Sequence, residues 1–206
     1  RSDKEFNTFI WYWLWLVIPE KRPKEDDSYN EFKYYKQDVY GGTTEELLRA
    51  LLGHAFRYSK MFLGKETDRD LKKAFDNLSA LDVRQIRPMF MMLYEIHERG
   101  LLDKAGFIEL CDVFESFLFR RAVCGRLTTG LSSFFASVYR DLSREDDVVT
   151  YVKAMLLMHD RDMTAYFPTD DYFKEQLASR DCYNRFSKKS FLLERLENSY
   201  HPKQPI

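Results

Sequence analysis

Residues Phe114–Tyr139 have the sequence FESFLFRRAVCGRLTTGLSSFFASVY, and this stretch carries the strongest fold signal in the chain. Apolar residues recur in it, and just before it, at the three-to-four spacing of a single helix face. The residues on this face are Phe107, Cys111, Phe114, Leu118 and Ala122. The spacing predicts a buried helix that ends at Gly125, followed by a second amphipathic helix that carries Leu131, Phe134, Phe135, Val138 and Leu142.

Arg120 and Arg121 fall in the last turn of the first of these helices. Two interpretations of the pair stay open. In the first, the arginines only cap the helix, because cations at a helix C-terminus complement the helix dipole. Alternatively, they face a phosphate group or a partner surface.

Most of the remaining chain also has the pattern of amphipathic helices. Thr43 with Glu46, Thr67 with Asp70, and Ser143 with Asp146 have the spacing of helix N-caps, and Asp103 starts the helix that contains Phe114. We therefore predict an all-α fold, a bundle-like domain of eight or nine helices. A polar, basic tail begins near residue 182, which predicts a helical domain over 1–182 and the start of another domain over 183–206.

Composition limits the classes of protein that fit this chain. The formal net charge of the 206 residues is -1, so any contact with nucleic acid must come from a local patch and not from a global basic field. The three cysteines have no CxxC spacing, which favours a reducing, cytoplasmic setting. The aromatic segment Thr8–Ile18 is too short to span a bilayer, and we expect no membrane partner.

Positive charge is concentrated in two segments. Residues 117–144 contain five arginines and one acid, a balance of plus four, and residues 180–203 contain six basic residues and three acids, a balance of plus three. Such segments either form a phosphate-contacting face or are ordinary solvated surface. The candidate residues for contact with nucleic acid or another domain are Arg120, Arg121, Arg126, Lys188 and Lys189.

Catalytic and metal-binding patterns are weak in this sequence. The four histidines are scattered without a second ligand at helix spacing, and neither a phosphate-binding glycine loop nor a nucleophile elbow is present. The sequence therefore predicts no catalytic residue, no metal site and no cofactor. His159 with Asp162 is the one acid-base pair that an unrecognised helical enzyme would use.

Five segments together carry a resemblance to a known family. They are YNEFKYY from Tyr29, EELLRALLGHAFRYSKMF from Glu45, LDVRQIRPMFMMLYE from Leu81, the stretch quoted first, and RFSKKSFLLERLEN from Arg185. In this order they resemble the middle and late part of the GmrSD-type, modification-dependent restriction endonucleases. The family's DGQQR motif in a ParB-like domain and its IEHIxPQ-like motif in an HNH nuclease domain are both absent here.

The resemblance implies a non-catalytic helical connector inside a phage-defence DNA endonuclease. Its partners would be the flanking nucleotide-sensing and nuclease domains of the same protein, and a contact with DNA is the further partner that the resemblance implies. The first residue, Arg1, and the final HPKQPI fit a piece of a longer protein. The alternative function is a free-standing protein-interaction module that docks through exposed parts of Thr8–Ile18.

Overall fold

The computed structural model describes residues 2–142, 147–181, 184 and 186–201. It is 74% helical, and the described residues contain no strand. The predicted all-α fold is therefore confirmed, with ten α-helices in the described part of the chain where the sequence predicted eight or nine. The predicted boundary near residue 182 stays a prediction.

The helices follow one another with short connections. Their bounds are α1 Ser2–Val17, α2 Ser28–Tyr34, α3 Thr44–Phe62, α4 Arg69–Ala80, α5 Arg87–Glu98, α6 Lys104–Val123, α7 Leu131–Leu142, α8 Val148–Leu157, α9 Asp170–Ser179 and α10 Lys189–Tyr200. Short 3-10 turns lie at Pro19–Lys21, Glu25–Asp27 and Arg84–Ile86, and a π-helical turn at Tyr35–Val39 follows α2.

The centre of the core is α6, whose apolar face is buried as its spacing predicted. Phe107, Phe114 and Phe117 are fully buried. The ring of Phe107 lies 5.4 Å from that of Phe75 in α4, and the ring of Phe114 lies 5.1 Å from that of Phe90 in α5. Helices α4, α5, α8 and α9 all contact α6. One helix thus supplies a surface against which four of the other nine described helices pack.

The aromatic first helix is part of the same core. Tyr12, Trp13 and Leu14 are almost completely buried, and Trp11 is half-buried and donates its indole N–H to the carbonyl of Pro23 at 2.8 Å. The surface that motivated a docking function for Thr8–Ile18 is therefore inside the protein. Among the described helices, none combines the length and apolar character needed to cross a membrane.

Side-chain caps begin several helices where the sequence placed them. Thr43 and Glu46 form the predicted capping box of α3, and Asp103 accepts a hydrogen bond from the backbone N–H of Gly106 at 2.7 Å at the start of α6. The predicted box at Thr67 was wrong by one residue. Asp68 caps α4 instead, because its carboxylate accepts from two backbone N–H groups, whereas a threonine hydroxyl usually accepts from one. The proposed cap at 143–146 lies outside the described residues.

Truncation of the α6 core should destabilise the whole fold. We expect Phe107→Ala to lower the free energy of unfolding by about 3 to 5 kcal/mol, because Phe107 is fully buried among other rings. The matched control is Phe56→Ala on α3, since Phe56 is 60% exposed and should lose less than about 1 kcal/mol. Urea denaturation measures both values. Equal losses in the two variants would contradict this placement of α6.

His54 should make stability depend on pH. Burial first, and the nearby Arg57 second, lower the pKa of His54 from 6.5 to about 4. As pH falls from 6.5 to 4 the unfolded chain takes up this proton and the folded chain does not, so stability is lost across this range, by up to about 3 kcal/mol. His54→Asn removes the group. Its unfolding free energy should fall less than that of the wild type between pH 7 and pH 4.5, and parallel curves would reject the assignment.

Candidate anion-binding site

The end of α6 is a tight turn at Gly125. Gly125 has φ +65°, a left-handed conformation that favours glycine, and it allows the backbone N–H of Arg126 to reach the carbonyl of Arg121 at 2.8 Å. A Cβ at Gly125 would lie 3.5 Å from a terminal nitrogen of Arg180. The turn therefore brings the loop after α6 next to the end of α9.

Arg120 is engaged within the chain. Its guanidinium forms an ion pair with Asp170 at 2.5 Å, donates to the carbonyl of Pro168 at 3.2 Å, and lies 5.2 Å from the ring centre of Phe173. The hydrogen bond from Arg120, followed by its charge, lowers the pKa of Asp170. Arg120 thus fastens α6 to the first turn of α9, and its charge is compensated by a carboxylate.

Arg121 has a different environment, although it is the next residue. Only 3% of it is exposed, and its two terminal nitrogens donate to the carbonyls of Tyr166 at 2.9 Å and Leu127 at 2.6 Å. Its Nε is buried without a hydrogen-bond partner, and no described carboxylate lies within 4 Å of its guanidinium. Burial, and then the nearby Arg126, lower its pKa to about 10. Arg121 is a buried cation without an anionic partner among the described residues.

Three more cations join Arg121 around one cavity, which we call the cationic pocket. Arg126 donates to the carbonyls of Arg161 at 2.6 Å and Met163 at 3.0 Å, and Arg180 donates to the carbonyl of Val123 at 2.9 Å. The pocket has a volume of about 270 Å³, and no Asp or Glu of the described chain lines it. Its polar lining consists of Arg121, Arg126, Arg180, Lys188, Thr128 and Ser187, and its apolar lining includes Leu81, Val83, Leu118 and Leu131.

A second cavity, of about 370 Å³, adjoins the cationic pocket. The two share Arg121, Gly125 and Arg126 in their walls. The rest of the second cavity is formed by Leu127, Thr129, Asp162 and Thr164. The second cavity therefore offers hydroxyl groups and one carboxylate. The polar side chains that the described residues contribute to the cationic pocket are cations and hydroxyl groups.

The structure brings together only part of the predicted contact set. Arg121, Arg126 and Lys188 line the cationic pocket, whereas Arg120 pairs with Asp170, and Lys189 begins α10 outside the pocket lining. Arg180 was not among the predicted contact residues. Its place in the basic segment 180–203 was a signal, but the direction in which α9 ends could not be read from composition.

The groups considered for catalysis are not assembled. His159 donates through Nδ1 to the carbonyl of Met155 at 3.0 Å, and its ring packs against Phe134 at 4.8 Å, whereas Asp162 lines the second cavity without His159. Among the described residues, no three His, Cys, Asp or Glu side chains are grouped to hold a metal ion. Cys124, near the pocket, is buried, and burial raises the pKa of its thiol.

Comparison of the chain with known proteins identifies no family for it. No protein-family model, no curated protein and no solved structure matches the chain. The resemblance to the GmrSD-type endonucleases stays a prediction.

The fold should require the guanidinium group of Arg121, and not only its positive charge, because two of its nitrogens donate to two different carbonyls. A lysine has a single terminal nitrogen and cannot span the carbonyls of Tyr166 and Leu127, so Arg121→Lys would leave one of them without its donor. We expect a loss of about 1 to 3 kcal/mol in unfolding free energy. Arg99→Lys, at an exposed position, is the control, and similar melting curves for the two variants would contradict this role.

Proposed function

We propose that this chain is a non-catalytic α-helical scaffold that contacts nucleic-acid phosphate through the cationic pocket. The observation that carries the proposal is the convergence of Arg121, Arg126, Arg180 and Lys188 on one cavity without a carboxylate among its described lining residues. The neighbouring Arg120, by contrast, is compensated by Asp170 in the same chain. Cations that are left uncompensated around a cavity favour an external anion.

The local character of this charge fits the neutral composition of the chain. A net charge of -1 provides no long-range attraction for nucleic acid, so binding would depend on a few close phosphate contacts. Arginine is well suited to such contacts because its planar guanidinium can donate two parallel hydrogen bonds to a phosphate. We therefore expect modest affinity with a clear dependence on salt.

The position of the pocket supports a connector role. Its cations come from the end of α6, the loop before α7, the end of α9 and the turn before α10. A phosphate held there would contact several separate parts of the chain at once. Together with the resemblance of five segments, this supports our proposal of a helical connector between the flanking domains of a phage-defence endonuclease.

The alternative, a free-standing protein-interaction module, also stays a prediction. The buried α1 does not provide its surface. The structure instead exposes Leu48, Leu52 and Phe56, which are four residues apart along α3 and more than half exposed.

DNA binding tests the proposal. Fluorescence anisotropy with a labelled duplex, repeated over a range of salt concentrations, should show that Arg126→Gln with Lys188→Gln binds more weakly than the wild type. The slope of log affinity against log salt should fall by about 2, because each phosphate contact contributes about 0.9. The same wild-type protein should leave the duplex uncut.

A matched pair of substitutions separates the pocket from general charge. Lys33→Gln with Arg99→Gln removes the same two charges at exposed positions outside the pocket lining, and should bind like the wild type. If both double variants lose affinity equally, or if neither loses any, the pocket is not the contact site.

A further inference from the structure

We infer that the cationic pocket is a built site for one phosphate monoester, supplied either by a free nucleoside monophosphate or by the 5′-phosphate end of a nucleic-acid strand. This inference rests on the proposed function, since it assigns the chemical form of the phosphate that the same pocket contacts. A monoester carries about two negative charges and three free oxygens, whereas a phosphodiester within a strand carries one charge and two free oxygens.

The charge of the pocket matches a dianion. Arg121, Arg126, Arg180 and Lys188 bring four positive charges to a cavity that no described acidic residue lines. In the part of the chain that the structure describes, hydrogen bonds use one terminal nitrogen of Arg126 and one of Arg180. The other guanidinium nitrogens of these two residues, and the ammonium group of Lys188, supply donors for several phosphate oxygens.

The end of α6 does not oppose an anion at this place. The carbonyls of the last turn of a helix are its negative pole and normally repel negative charge. Here the carbonyls of Arg120, Arg121 and Ala122 accept backbone N–H groups of the following turn, and the carbonyl of Val123 accepts from Arg180. These bonds leave the arginine side chains as the dominant charges facing the pocket.

The depth of the pocket favours a terminal phosphate over a phosphate within a strand. Arg121 forms part of its wall and is only 3% exposed. A phosphodiester has a sugar on each side, so it meets a recessed wall with only two free oxygens and with the bulk of both sugars beside them. A phosphate at a strand end, or on a single nucleotide, is attached on one side only and can enter with its free oxygens first.

The adjoining cavity has the size and chemistry for the group attached to that phosphate. It extends from the shared wall of Arg121, Gly125 and Arg126 to Thr129, Thr164 and Asp162, with a volume of about 370 Å³. Hydroxyl groups and a carboxylate can hydrogen-bond to sugar hydroxyls or to the amino groups of a base. A dianion would be repelled by Asp162 in this second cavity, which directs the phosphate to the cationic pocket and the nucleoside to its neighbour.

Structural use of the arginines does not account for the whole arrangement. Arg121, Arg126 and Arg180 donate hydrogen bonds to backbone carbonyls, and these bonds stabilise the fold. Lys188 lines the pocket without any such hydrogen bond in the described chain, and the buried Nε of Arg121 has no hydrogen-bond partner. Burial and Arg126 also lower the pKa of Arg121, so an anion nearby would stabilise its charged form.

Binding to the whole chain tests the inference with three probes. These are adenosine 5′-monophosphate, a short single strand with a 5′-phosphate, and the same strand with a 5′-hydroxyl. We expect the phosphorylated strand to bind at least about tenfold more tightly than the hydroxyl strand. Charge-assisted hydrogen bonds to one terminal phosphate are strong enough to raise the affinity by at least about that factor. This ratio should approach one in Arg126→Gln and, separately, in Lys188→Gln.

The controls keep the outcomes distinct. Lys33→Gln and Arg99→Gln should preserve the ratio, and thermal unfolding should show that each variant is folded. Equal binding of both strands that still depends on Arg126 and Lys188 would overturn the monoester site while leaving the proposed function intact. Binding of the monophosphate alone, lost in the same variants, would support the monoester site, and the proposed nucleic-acid contact would then be rejected if the duplex of the anisotropy assay also fails to bind. No binding of any probe would overturn the monoester site, and no binding of the duplex as well would overturn the proposed function.

The two sources give different patterns when the monoester site is correct. If the 5′-end of a strand is the ligand, the phosphorylated strand should bind more tightly than the monophosphate, because the strand adds contacts beyond the pocket. If the free nucleotide is the ligand, the monophosphate should bind at least as tightly as the phosphorylated strand and should compete with it.

Discussion

The phenylalanine face of α6 is packed on several sides by aromatic rings, and the positions of the helices around α6 depend on this burial. Phe107 meets Phe75 and Tyr94, and Phe117 lies 6.2 Å from Phe135 in α7 and 5.4 Å from Phe167 before α9. Buried aromatic side chains contribute most of the apolar area in such a core, and edge-to-face contacts between them restrict how the helices can rotate. A fixed rotation of α6 also fixes the direction of every side chain at its C-terminal end.

This constraint separates two neighbouring arginines. Successive residues of a helix point about 100° apart, so Arg120 and Arg121 cannot share one environment. With the phenylalanine face directed inward, Arg120 forms an ion pair with Asp170 at the start of α9. Arg121 instead donates hydrogen bonds to the carbonyls of Leu127 and Tyr166. The two interpretations of the pair, capping and ligand contact, therefore have to be considered for each arginine separately, because the two side chains have different surroundings.

The cationic pocket combines a structural and an electrostatic role in the same side chains. Hydrogen bonds to backbone carbonyls hold Arg121, Arg126 and Arg180 in place, but neutral carbonyls do not cancel their full positive charge. A group of cations that is already ordered loses little side-chain entropy when an anion binds. This is the physical basis of our proposal that the pocket binds phosphate, in a chain whose overall charge is nearly zero.

The sequence by itself determined the all-α class, most of the helices, several of their caps and the end of α6, because helical periodicity, capping residues and the turn at Gly125 are local features. The sequence also predicted Arg121, Arg126 and Lys188, which line the pocket, as contact residues, but only within a wider set that included Arg120 and Lys189. The tertiary structure alone decided which cations meet, and it added Arg180. The cations that line the pocket lie up to 67 positions apart along the chain, from Arg121 to Lys188. Their convergence depends on how α9 and the turn before α10 pack against α6, and local sequence carries no record of that packing.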